Sequence, residues 1–257
     1  MKQQSGNCPV GIIGGMGPAA GVDFENQFVT ACSEVLLQVR GEFCDQDFPE
    51  HWLAQVPIPD RTSALLGDQE DREAVLRSLL SVVRRMSALG IRHVALACNT
   101  AHSWHSSIQS QFPHMEILDV AGEVGNVLMK HAGQRVGLLA TKGTYQTGIY
   151  ATGFESRGLR LLLPTDSEQD LLMSGIYDGV KAGKLELARS SFESVATSMA
   201  LRESLDALVL GCTEIPIALK VSPVPSVKLI DAGKVLACAL ALRALNRKHA
   251  PFHPSTF

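Results

Sequence analysis

The sequence predicts an α/β fold of two similar domains, each a mainly parallel sheet flanked by helices, related by pseudo-symmetry around an interdomain cleft. Three observations carry this. Short continuous apolar runs alternate with stretches of helical periodicity, which suits parallel strands buried on both faces. The segment 10–17 (VGIIGGMG) is echoed by 136–143 (VGLLATKG). Each echo is followed by an apolar run that ends in a cysteine: Cys98 lies 87 residues beyond Gly11, and Cys212 lies 75 beyond Gly137.

In chain order, the strand signals are 10–13, 94–97, 136–140 and 207–210, with weaker ones at 117–118, 159–163 and 227–230. A helix opens at Pro18, a residue suited to the first helical turn. A second runs from Asp68 to Gly90, with acids at its start, Arg84 and Arg85 near its end, and a stripe of Leu76, Leu79, Leu80, Val83 and Met86. Gly90 stops it as a left-handed C-terminal residue does. Leu185, Ala188, Phe192, Val195 and Met199 form another stripe, and 235–245 a third. The division expected is 1–115 plus 229–257 for the first domain and 116–228 for the second.

Composition narrows the function. The 257 residues are 46% apolar, enough for a buried core, with a net charge of −3. Neither a basic footprint for nucleic acid nor a polybasic membrane patch is present, and no apolar run approaches the length of a membrane span. The start, 1–7, is polar, and six cysteines are too few for a disulfide scaffold. Reduced thiols and a cytoplasmic location are therefore expected.

The Gly15-x-Gly17-x-x-Ala20 turn admits three readings: a dinucleotide loop, a backbone cradle for a small carboxylate, or a tight turn only. Glu34, inside the predicted helix, is not the acid that a dinucleotide site needs. Cys98, His102 and His105 have a spacing compatible with metal, but no fourth ligand is evident, and His102 is read as tuning the thiol or capping a helix. Cys8, Cys32, Cys44 and Cys238 are read as small buried hydrophobes. Cys98 and Cys212 differ from these. Each sits between a strand and a helix-starting Thr, where a helix N-terminus favours an accessible thiolate. Facing each other across a cleft, two such thiols could remove a proton from one face of a carbon and return one to the other.

Six motifs in order extend this: 14–18 (GGMGP), 58–62 (IPDRT), 97–102 (ACNTAH), 138–141 (LLAT), 175–181 (GIYDGVK) and 211–214 (GCTE). Together they resemble the cofactor-independent aspartate/glutamate racemase family over roughly residues 10–247, its aspartate racemase branch most closely. The resemblance implies a two-domain, often dimeric enzyme that needs no cofactor or metal and takes a small amino-acid or dicarboxylate substrate. Cys98 and Cys212 would be its catalytic pair. Met16, Arg61, Asn99, Thr100, Thr141, Lys181 and Thr213 would be substrate-binding, with His102 and Glu214 in support. Glu214 stands where glutamate racemases carry His, which favours aspartate, although Phe48-Pro49 replaces the His-Pro of many aspartate racemase relatives. Alternatives are a broad-specificity or glutamate racemase, a maleate isomerase-like enzyme, or a non-catalytic carboxylate-binding protein on the same scaffold. The tail 247–257, with His249 and His253, has no readable role.

Overall fold

The computed structural model describes residues 6–131 and 134–247; His249 and His253 lie outside them. The elements run β1 (Val10–Gly14), α1 (Pro18–Arg40), β2 (His51–Gln55), α2 (Arg61–Leu66), α3 (Gln69–Ala88), β3 (His93–Leu96), α4 (His105–Gln111), β4 (Glu116–Ile117), α5 (Val120–His131), β5 (Arg135–Ala140), α6 (Lys142–Thr147), α7 (Ile149–Glu155), β6 (Arg160–Leu162), α8 (Asp166–Ser174), α9 (Leu185–Glu203), β7 (Ala207–Gly211), α10 (Ile215–Ala218), β8 (Lys228–Asp231) and α11 (Ala232–Ala244).

They form two four-stranded parallel sheets with the same spatial order, β2-β1-β3-β4 and β6-β5-β7-β8. The duplication read from the glycine-rich echo is thus a duplication of topology: β1 matches β5, and β3 matches β7. The outer strands fall slightly across the expected division, since β4 closes the first sheet and β8 the second. α11 returns to pack on α1, and the Cys8 amide donates to the Ala244 carbonyl.

Alternation along the strands builds three core layers. Val10 and Ile12 of β1 face a central cluster shared with Phe24 and Phe28 of α1, Val124 of α5, Phe154 of α7, α11, and Val136 and Val209 of the second sheet. Ile13 and Leu96 face outward against α3, and Leu139 and Leu208 against α9. A middle layer of helices therefore serves both sheets, which keeps the C-terminal ends of β3 and β7 in a fixed relation.

Local chemistry explains the boundaries. The Asp68 carboxylate accepts from the Asp71 amide at 3.0 Å to start α3, and Gly90 adopts φ +80° beyond its end. The buried stripe of α3 is Val75, Leu79, Val82, Val83 and Met86; Leu76 and Leu80 are only half-buried, so the helix is rotated relative to the expected face. Leu185, in the first turn of α9, is 47% exposed, whereas the rest of its stripe is buried. β2 carries no β-branched residue and was not expected as a strand. Cys44 is exposed, with its thiol 3.4 Å from the Asp47 carboxylate rather than in a core.

Gly15 adopts φ +85°, and a Cβ there would lie 2.3 Å from the Val56 carbonyl oxygen. Gly90 has a similar φ but open space. Gly15→Ala should therefore destabilise by about 2–3 kcal/mol and Gly90→Ala by only about 1 kcal/mol in denaturant titrations.

Candidate active site

Open α/β sheets place ligands at the C-terminal ends of their strands, and here both sheets present those ends to one another. Turns after β1, β2, β3, β5 and β7 deliver Met16, Asp60, Arg61, Thr62, Cys98, Asn99, Thr100, Thr141, Cys212, Thr213 and Glu214. A six-residue π-helical turn, Gly175–Val180, delivers Ile176 and Tyr177, and Lys181 follows it. These groups enclose a cavity of about 10 Å³, room for about one water. A vestibule of about 410 Å³ opens beside it, sharing Met16, Asp60, Arg61, Lys181 and Glu214 and adding Ile58, Val180, Ile217 and the first turn of α1.

All nine residues expected to be catalytic or substrate-binding line the cavity, as does Glu214. The two thiols meet opposite charges. Arg61 is buried, and the Cys98 thiol, Asp60 and Glu214 hold its guanidinium firmly cationic against the opposing effect of burial. Cys212 donates from Sγ to Glu214 Oε2 at 3.0 Å, and Thr213 Oγ1 donates to the same oxygen at 3.3 Å. Burial first, then the Glu214 carboxylate, pushes the Cys212 thiol well above the usual range. The accessible thiolate expected at Cys212 is thereby corrected: only a four-residue helix, Ile215–Ala218, follows it, and desolvation outweighs whatever that short dipole contributes.

Arg61 also departs from expectation. Its Nη1 donates to the Ile58 and Pro59 carbonyls at 3.1 Å each, and its Nη2 to the Met16 carbonyl, so the fork that a substrate would meet is taken up by main chain. Lys181 is the more available cation. Its Nζ lies 3.7 Å from Asp60 Oδ2 and 4.0 Å from the centre of the Tyr177 ring. The Tyr177 hydroxyl donates to the same Asp60 oxygen at 2.8 Å, while Asp60 Oδ1 caps α2 through the Ser63 amide. These hydrogen bonds and Lys181 hold the half-buried Asp60 carboxyl below its usual range although burial opposes them.

More polar contacts cross between the halves. Thr100 Oγ1 lies 2.9 Å from Thr141 Oγ1 and 3.2 Å from Thr144 Oγ1, and the Tyr150 hydroxyl donates to Asn99 Oδ1. Asp60, Thr62, Ile176 and Tyr177 line the cavity without having been singled out. Asp60 was within reach, because Asp60-x-x-Ser63 is an N-cap pattern.

His102 is buried but does not line the cavity. Its Nδ1 accepts from the Val120 amide at 3.4 Å, capping α5, and burial together with His105 lowers its pKa to about 4, so the ring is neutral. That contact is of the helix-capping kind. His105 Nε2 bonds the Ile117 carbonyl at 2.7 Å. Among the described residues no group of three or more His, Cys, Asp or Glu is placed to hold a metal ion. Phe48, Glu50, His51 and Trp52 sit at or just before the start of β2, at the strand end away from the cavity. The glycine-rich turn is tight, as the Gly15 geometry requires, and brings α1 to the vestibule.

The pattern of the family described as Asp/Glu/Hydantoin racemase matches residues 13–240. The chain belongs to that family. The expectation of a racemase with this fold is met, and no helix among the described residues is long and apolar enough to cross a membrane. Among solved structures, the Picrophilus torridus aspartate racemase is similar at 28% identity and a TM-score of 0.73, over 95% of this chain and 96% of that one. PH1733, an aspartate racemase homologue from Pyrococcus horikoshii OT3, shares the fold at 23% identity and a TM-score of 0.71, over 92% and 98%. The broad-specificity amino-acid racemase RacX of Bacillus subtilis (strain 168) is 24% identical over 153 residues, 60% of this chain and 63% of RacX. Glutamate racemase of Persephonella marina (strain DSM 14350 / EX-H1) is 24% identical over 209 residues, 79% and 76%.

The opposed charges make a prediction about the thiols that needs no turnover. Glu214→Gln removes a like charge from the Cys212 thiolate, so the pH midpoint for alkylation of Cys212 by iodoacetamide should fall by about one unit. An unchanged midpoint would mean that burial alone raises it.

Proposed function

We propose that this protein interconverts the enantiomers of an acidic amino acid, aspartate, by two-base proton transfer at Cα between Cys98 and Cys212, without a cofactor. One observation carries the reading: equivalent strand ends of two like sheets each contribute a buried cysteine to one cavity. Similarity to the Picrophilus torridus aspartate racemase over nearly the whole chain supports the substrate class.

In this reading Cys212, hydrogen-bonded to Glu214, keeps its proton and is the acid, while Cys98, facing the Arg61 cation, takes the base role. Reversing the direction of reaction exchanges the roles. The carbanion-like state needs positive potential in a dry site, supplied by Arg61 and Lys181, while Asn99, Thr100, Thr141 and Thr213 offer donors to carboxylate oxygens. A four-carbon diacid exceeds the closed cavity, so entry from the vestibule parts Lys181 and Tyr177 from Asp60. The substrate's side-chain carboxylate then takes the place of Asp60 on Lys181. The apolar vestibule walls, Ile58, Val180 and Ile217, favour one second reading, a broader-specificity racemase.

Incubating the protein with single L-amino acids in deuterated water tests both readings; aspartate should acquire deuterium at Cα as it racemises. Cys98→Ser and Cys212→Ser should each lower racemisation by about 100- to 10,000-fold with the fold retained. Each variant should still exchange the Cα proton of one enantiomer, and of opposite enantiomers. Substantial racemisation by either variant would overturn the two-thiol scheme.

A further inference from the structure

Asn99 stands between Cys98 and Thr100 on the cavity wall, and a side-chain amide can present either its oxygen or its NH2 group. Which one it presents decides whether that wall attracts a carboxylate or a cation. The choice is made from the far half of the molecule. Tyr150, in α7, is 1% exposed, its ring packed edge-on against Phe154 at 5.4 Å, and its hydroxyl bonds Asn99 Oδ1. Burial, with Asp119 and Asp231 nearby, pushes the phenol well above its ordinary range, so it stays protonated and must donate. Among the described residues Asn99 Oδ1 is the one acceptor hydrogen-bonded to that hydroxyl. Turning the amide over would leave a buried O–H without an acceptor, a cost comparable to a full desolvation penalty. Asn99 Nδ2 donates to no described residue, and Asn99 lines the cavity.

We propose that Tyr150 is a positioning residue that locks the Asn99 amide with its NH2 group toward the cavity, making that wall selective for a carboxylate oxygen. It touches no reacting atom and acts only through Asn99. Because Tyr150 and Asn99 belong to opposite halves, the same bond ties the polarity of the wall to the contact between them. The inference rests on the carboxylate-binding reading of the cavity, but not on turnover.

The test is a double-mutant cycle read by calorimetry with succinate, a four-carbon diacid lacking the amino group, and in parallel by kcat/KM on L- and D-aspartate. Tyr150→Phe keeps the packed ring and should weaken succinate binding by about 10- to 100-fold. Asn99→Ala should do likewise, and the double variant should bind within about twofold of Asn99→Ala alone. Losses that multiply in the double variant would overturn the proposal, because Tyr150 would then act elsewhere. A measurement on the native protein guards against a variant that does not fold: the Asn99 side-chain NH2 resonances should shift on adding succinate, and unshifted resonances at saturation would also overturn it. Coupled succinate binding in a protein that racemises nothing would sink the proposed function while sustaining this inference.

Discussion

Two thiols can work on opposite faces of one carbon only if the strand ends that carry them are held face to face, and here the bonds that hold them also make the cavity wall. Thr100 meets Thr141 and Thr144, Asn99 meets Tyr150, and Asp60 meets Tyr177 and Lys181; in each case one partner comes from each half. Each of these contacts includes a residue that lines the cavity. In a dry seam an unpaired hydroxyl or amide is costly, so the closed arrangement is over-determined.

Within that seam the pseudo-symmetry of the backbone is broken by charge. The loops after β3 and β7 are equivalent in the fold, yet the first thiol meets a guanidinium and the second a carboxylate. Symmetric electrostatics would leave the two single-proton arrangements of such a thiol pair equal in energy. Glu214 and Arg61 remove that degeneracy while leaving the strand geometry alike.

Much of the fold was legible because the sequence repeats its own grammar. An apolar run, a short turn and a helix occur twice, and the strands they predict form two sheets of one topology. The cysteines were legible for the same reason, as the repeated residue at the repeated position. What the sequence hid was three-dimensional. β2, a strand of His, Trp, Leu, Ala and Gln, has weak β propensity and is held by its pairing with β1. The face of α3 followed packing against β1 and β3 rather than the apolar spacing alone. The protonation of Cys212 depended on burial and on a carboxylate two residues away, neither of which local position reveals. The commitment of the Arg61 fork to three carbonyls needed the turn at Met16 and the chain at Ile58 and Pro59 to converge.

The shared middle layer also bears on how the chain reaches this state. α11 lies against α1 and α5 and contacts β1 and β3, although it follows every strand of both sheets in the chain. As the polypeptide emerges from the ribosome, the parts of α1, β1 and β3 that α11 covers stay bare until that helix arrives. The first half is therefore topologically unfinished throughout synthesis, and its assembly is tied to completion of the second. A nascent fragment exposes sticky surface rather than a half-built catalyst, which makes final docking of α11 the step that commits both halves at once.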